Sequence, residues 1–370
     1  MFKTTYNYST FFILLRAGLW GYRNLDVRIN VSTDWNEVYE LAQEQSVLGL
    51  VLAGLEHFDI KPPKVLLLQW IGEVQLIEQR GRRMNEFIAL HYNRLLNEGI
   101  NALLIKGQGI AQCYERPLWR ASGDVDLLLD YNNYEKAKIS ITEVASNVME
   151  EDPDMKHWDA NVGDFEIELH GSLRSLLLPR MDKVIDSVQD DTFINNNIRL
   201  LNVNGVNVAL PSINNDIIFV FTHIVKHFFH EGVGLRQICD LCRLLWSNKS
   251  EINEQLLKMR LVAAGIMTEW KAFAALAVDY LGMPVEAMPF YSDDKKWKRK
   301  AVRVMEFVLE TGNFGHNRDY SYMRKYPYLV YKAISFWKHL KDGAFFFSIF
   351  PLDSIKVTWR RMVVGVSVVL

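Results

Sequence analysis

Cysteine is scarce in this chain: Cys113, Cys239 and Cys242 are the only three in 370 residues. A small, odd number excludes the disulfide framework that staples small secreted domains. No stretch reaches the ~18 uninterrupted apolar residues of a membrane span. Met362–Leu370 is apolar but too short, and Arg16 breaks the brief run Phe11–Leu15 near the start, so no signal-peptide core is read there either. The expectation is a cytoplasmic protein with no integral membrane association. Net charge is also nearly absent, at −2 from 42 basic and 44 acidic residues. That excludes coating of nucleic acid by bulk electrostatics and leaves room only for a local basic patch. Internal repeats and low-complexity linkers are missing too.

What is present suits a buried core. Apolar residues make up 49% of the chain and charged residues 23%, and the length allows two or three domains of ~100–200 residues. Residues 1–98 read as helical. Asp34 with Glu37 three positions on fits a capped helix start, followed by Val38, Leu41, Ala42, Val47, Leu48 and Leu52 at near-helical spacing. Pro62-Pro63 ends that unit, and a second helix is expected from about Val65 to Glu98, with Gly72 and Gly81 as points where it could break. From residue 99 the pattern changes. Ile100–Ile105 and Asp124–Leu129 read as buried strands, Tyr134–Val148 as a crossover helix, and Asp164–His170 as a strictly alternating strand. Ile198–Leu210 reads as a hairpin turning at Asn204-Gly205. After Pro211 helices return, most clearly Asp216–Phe229 and Leu235–Trp246. The expected fold class is α/β (α+β): a small mixed-sheet core over 99–212, flanked by helical regions over 1–98 and 213–370.

Asp124 and Asp126 lie two apart on a strand, so their side chains share one face. Two like charges beside four apolar residues call for water, cations or ligands. Magnesium, a hard cation that takes oxygen ligands, uses one or two carboxylates together with substrate phosphates. A third carboxylate on a neighbouring strand would complete a clamp for in-line phosphoryl displacement. Glu166 and Glu168 both offer themselves, and periodicity alone does not choose between them. Asp-x-Asp by itself is a common surface pattern, and its weight comes from the residues around it. Lys106-Gly107 closes the preceding strand, and Gln108–Tyr114 is expected to form a helix whose N-terminus presents free N–H groups to an anion. Lys106 and Arg120 are phosphate candidates, although the same spacing fits solvent-facing bases; for Arg116 the solvent-facing reading is the better one.

Taken together, strand–Lys106-Gly107–helix, then Arg120-Ala-Ser-Gly-Asp-Val-Asp-Leu-Leu-Leu129, then Glu166-Ile-Glu-Leu-His170 resemble the DNA polymerase β-like nucleotidyltransferase superfamily. They are most similar to its uncharacterised bacterial branch. The resemblance extends to His223-x-x-x-His227 and Leu235-Arg-Gln-Ile-Cys-Asp240, and its specific part covers about residues 99–245. It implies a small mixed sheet with three metal-binding acids, Asp124, Asp126 and Glu168, the last because the family places an acid two before a histidine, here His170. It implies a phosphate-contacting turn at Lys106, Gly107 and Gln108, where the wider superfamily usually has Gly-Ser or Gly-Gly, with Arg120 and Arg236 as further nucleotide contacts. The cofactor implied is Mg²⁺ or Mn²⁺ and the substrate an NTP. The acceptor is left open among a small molecule, tRNA or a protein. A toxin-like transferase and a non-catalytic nucleotide-binding protein are the alternative readings.

Other signals carry less. His223, His227 and His230 with Glu231 do not complete a standard zinc motif and read as core or phosphate-contacting histidines. Arg236 and Asp240, one turn apart, either pair with each other or leave Arg236 free for the triphosphate. Cys239-x-x-Cys242 has no second pair and reads as buried helix. The basic run Lys295–Lys300 reads as a solvated helix face, and the aromatic C-terminal stretch as helical core.

Overall fold

The computed structural model describes residues 6–21, 29–30, 32–152, 154–318, 321 and 325–367. The extreme N-terminus and residues 368–370 of the terminal apolar stretch lie outside the described residues. Four helices come first: α1 (Tyr6–Trp20), α2 (Trp35–Glu44), α3 (Leu48–Leu55) and α4 (Lys64–Asn97). Asp34 caps α2, accepting from the backbone N–H groups of Asn36 at 2.9 Å and Glu37 at 3.3 Å. The periodic run into Leu52 is two helices, because Ser46 turns into the left-handed region at φ 55°. Helix α4 runs unbroken through both glycines.

A five-stranded sheet follows: β1 (Ala102–Ile105), β2 (Asp124–Leu129), β3 (Asn147–Val148), β4 (His157–Val162) and β5 (Phe165–His170), in the order β1-β2-β5-β4-β3. Only β2 and β5 run parallel. Between β1 and β2 lies a short helix, α5 (Gly107–Ala111), and between β2 and β3 lies α6 (Tyr131–Thr142). The expected crossover helix to Val148 is therefore shorter: Asp130 caps its start, and Asn147–Val148 leave it for the sheet edge.

One face of the sheet is apolar. Leu104, Val125, Leu127, Ile167 and Leu169 pack under Met84, Ile88, Tyr92 and Leu95 of α4 and under Tyr134, Ala137 and Ile141 of α6. Strand alternation then puts Asp124, Asp126, Glu166, Glu168, His170, His157 and Asp159 on the opposite face. Helix α7 (Pro179–Ile194) precedes the hairpin strands β6 (Ile198–Val203) and β7 (Val206–Pro211), which form a separate two-stranded sheet. Asn204 and Gly205, both at positive φ, make the tight turn. Tyr92 ties the hairpin to the main sheet: its hydroxyl donates to the Ala102 carbonyl and accepts from the Ala209 N–H.

The remaining helices are α8 (Ile213–His230), α9 (Leu235–Ser247), α10 (Glu254–Ala264), α11 (Met267–Asp279), α12 (Lys295–Thr311), α13 (Tyr328–Ile349) and α14 (Pro351–Ser367). They share one apolar core with α1–α3. Arg16 donates to the carbonyls of Asp279 and Tyr280, the Trp20 indole to that of Leu281, and Gln45 to that of Val308. Cys239 and Cys242 are buried in this core as free thiols. The basic run opens α12, where Lys298 pairs with Asp293 and Lys300 donates to the Ile349 carbonyl. No helix among the described residues is long and apolar enough to cross a membrane.

Candidate active site

The polar sheet face forms the floor of a cleft of about 1410 Å³, roofed by α8, α9, α13 and α14. Its first element is the turn after β1. Lys106 sits at φ 55°, ψ −143° and Gly107 at φ 39°. A Cβ on Gly107 would meet only the Asp124 carbonyl, at an ordinary 3.7 Å, so this glycine is needed for its backbone conformation and not for space. The helix that follows is shorter than expected, Gly107–Ala111 in place of Gln108–Tyr114. At little more than one turn, it adds only a slight dipole to any anion site there.

Parallel pairing sets Asp126 beside Glu168 and Asp124 beside Glu166. Lys106 Nζ donates to Asp126 Oδ1 at 2.9 Å. His170 Nε2 stands 2.8 Å from the same oxygen and 3.4 Å from Glu168 Oε2, and His157 Nε2 lies 3.2 Å from Glu168 Oε2. Burial opposes ionisation of Asp126, but Lys106 and His170 outweigh it and hold its pKa below the usual carboxylate range. Glu168 is lowered in the same way, its burial overcome by His157 and His170. Asp124 makes no ion pair among the described residues. Burial, then the negative charges of Asp126 and Glu168, push it up to about 6, and Lys106 and Arg236 offset that shift only in part. A floor with one carboxylate raised by its charged neighbours and two held ionised by cations is a place where further positive charge is favoured. Asp124, Asp126 and Glu168 line the cleft, whereas Glu166 is absent from its wall among the described residues.

The other expected contacts are placed differently. Arg120 is buried, and its guanidinium is committed: Nε and Nη2 bond Asp240 at 3.0 and 2.6 Å, and Nη1 bonds Ser122 and the Ala121 carbonyl. It locks the loop before β2 onto α9, which takes up four of its five N–H groups. That pair also takes Asp240 away from Arg236, so of the two readings of Arg236 the one-turn pairing does not form. Arg236 instead donates to the Ala121 carbonyl at 2.8 Å, and its Nε is buried in the cleft wall without a partner among the described residues. The Gln108 side chain turns away from the cleft and donates to the Gly81 carbonyl of α4. Arg116 forks onto Glu56 and lies over Trp119, as a surface base.

Two cleft residues, His157 and Lys226, carry no signal in the motifs. His157 comes from β4, an alternating segment with a weak apolar set. Lys226, His223 and His227 line the roof from α8. Burial, then Lys106, holds His223 far below its ordinary pKa, and burial lowers Lys226 too. Phe314, at φ 50°, sits between His227 (ring centroids 5.0 Å apart) and Arg236 (5.8 Å from the ring). His227 is likewise lowered, chiefly by burial, whereas His230 at the end of α8 is exposed.

This fold and site define a mixed-sheet α+β protein with a carboxylate floor under a helical roof. Residues 31–282 match the family described as uncharacterised nucleotidyltransferase, and the chain belongs to that family. No curated protein and no solved structure matches it.

Proposed function

We propose that this chain is a metal-dependent nucleotidyltransferase of the polymerase β-like superfamily, transferring a nucleoside monophosphate from an NTP to an acceptor. The observation that carries this is the β2–β5 register, which gathers Asp124, Asp126 and Glu168 on one polar sheet face at the floor of the cleft. The donor set fits a hard divalent cation: three carboxylates, one of them raised to about 6 by burial and by the charges of the other two. Asp124, Asp126 and Glu168 would hold Mg²⁺ or Mn²⁺, which supplies charge stabilisation at the transferring phosphoryl group and a lowered pKa for the attacking hydroxyl. Lys106, which donates to Asp126 Oδ1, would be free to turn to the phosphates with a cation in its place. Lys226 and Arg236 face the floor from the roof, placed to meet the triphosphate. The cleft exceeds the ~300–1,000 Å³ of an ordinary small-molecule pocket, which suits a donor and an acceptor bound together.

The test is pyrophosphate release from each of the four NTPs with Mg²⁺ or Mn²⁺ and a fractionated cell extract. Wild type is expected to release pyrophosphate and label one fraction, while Asp124→Ala and Asp126→Ala release none and keep the fold. A wild-type rate in either variant removes the site. The labelled fraction, whether small molecule, tRNA or protein, identifies the acceptor.

A further inference from the structure

Beside the three carboxylates stands a different donor set. His157 and His170 are directly opposed across the β4–β5 ladder. Opposed residues of an antiparallel pair have Cβ atoms about 4.5–5.5 Å apart, and here the rings stack with centroids 4.7 Å apart and planes 8° from parallel. Glu168 Oε2 lies between them, 3.2 Å from His157 Nε2 and 3.4 Å from His170 Nε2, the latter nitrogen also bonding Asp126 Oδ1 at 2.8 Å. The buried Asp159 Oδ1 lies 3.0 Å from His157 Nε2. One donor atom from each of His157, Glu168 and His170 falls within 4.8 Å of the others.

These separations have a chemical meaning. Ligands at about 2.0–2.1 Å around a tetrahedral ion sit about 3.4 Å from one another. Each imidazole nitrogen is already at that spacing from the Glu168 oxygen, and donor atoms of all three residues lie within 4.8 Å of one another. Magnesium takes oxygen ligands, whereas imidazole suits zinc, copper, iron and nickel.

We propose that His157, His170 and Glu168, with Asp159 at their edge, bind one first-row transition-metal ion in a nitrogen-bearing site that adjoins the magnesium-type cluster and shares Glu168 with it. The ion replaces the protons now held between the imidazoles and the acids and bonds both Nε2 lone pairs. Binding needs no nucleotide, so it stands or falls separately from nucleotidyl transfer.

The experiment titrates the full chain with CoCl₂, followed by visible absorption and calorimetry, then with MnCl₂ followed by electron-spin-echo modulation. Wild type is expected to bind one Co²⁺ per chain, and its Mn²⁺ complex to show imidazole nitrogen coupling. His157→Ala should weaken Co²⁺ at least about tenfold, whereas Asp124→Asn and His227→Ala should change it less than about threefold, a smaller factor than loss of a ligand brings. The proposal is overturned if His157→Ala binds as wild type does, if Asp124→Asn loses as much as His157→Ala, or if the wild-type complex shows no nitrogen coupling. The last reading uses the unmutated protein and stands even where a variant does not fold.

Discussion

At the scale of single residues, Glu166 and Glu168 separate two roles that the strand pattern leaves equal. Both point to the polar face, but pairing sets Glu168 beside Asp126 and within reach of both histidines. Two positions along a strand differ by ~7 Å, and magnesium demands oxygens at about 2.1 Å, so one of the two fits. Glu168→Gln is expected to lower turnover at saturating Mg²⁺ by about 10²–10³-fold, and Glu166→Gln to keep most of it, with folding checked by thermal melt. A dead Glu166→Gln would mean the β2–β5 register is wrong. Arg120 supplies a second case. Its guanidinium and Asp240 are both about 95% buried in side-chain surface, and removal of one partner leaves the other as an uncompensated charge. Arg120→Ala should cost about 3–5 kcal/mol in urea unfolding. A loss of less than about 1 kcal/mol, the range of a surface pair, would show that water reaches Asp240.

At the scale of elements, α4 shows why a glycine in a helical pattern does not settle where the helix ends. Its length comes from its apolar stripe, which covers the sheet with Met84, Ile88, Tyr92 and Leu95, and tertiary burial outweighs the ~1 kcal/mol propensity cost of each glycine. The two glycines differ in surroundings. An added Cβ on Gly72 meets nothing within 4 Å, whereas on Gly81 it comes within 3.3 Å of Leu118. Gly72→Ala is therefore expected to stabilise the chain by about 0.5–1 kcal/mol, and Gly81→Ala to gain less or lose. Equal gains in denaturant melts would contradict the packing of Leu118 on α4.

At the scale of the whole molecule, the helical flanks meet in one core that contains a buried carboxyl. Glu269 on α11 is fully buried, neither of its oxygens has a hydrogen-bond partner among the described residues, and burial followed by Asp353 raises its pKa well above the usual value. Above the ordinary carboxylate pKa the folded state keeps a proton that the unfolded chain releases. Stability therefore falls as pH rises toward the folded value, by up to about 1.4 kcal/mol per pH unit. Glu269→Gln carries no such proton. It should melt with wild type near pH 4, and above wild type near pH 7, where the unfolded carboxyl, with its pKa of about 4.3, is ionised. A difference in melting temperature that does not change with pH would show Glu269 ionised in the fold.

Local chemistry was enough to read the strands carrying Asp124 and Glu168, the cap at Asp34, the turn at Asn204-Gly205 and the helical character of both flanks. Each of these is a property of a few neighbouring residues: alternation, a short polar side chain before a helix, or a pair tolerant of positive φ. The shared face of Asp124 with Asp126, and of Glu166 with Glu168, was legible for the same reason, but period-two spacing left Glu166 and Glu168 equal, and only the family resemblance singled out Glu168. What needed the tertiary structure was every choice of partner. Asp240 takes Arg120 across 120 positions and so leaves Arg236 without it, and Gln108 turns to α4 rather than the cleft. His157 meets His170 only because β4 pairs with β5. An ion pair or a ligand set depends on which atoms share a few ångströms, and that distance is settled by how the chain packs, not by the spacing of residues along it.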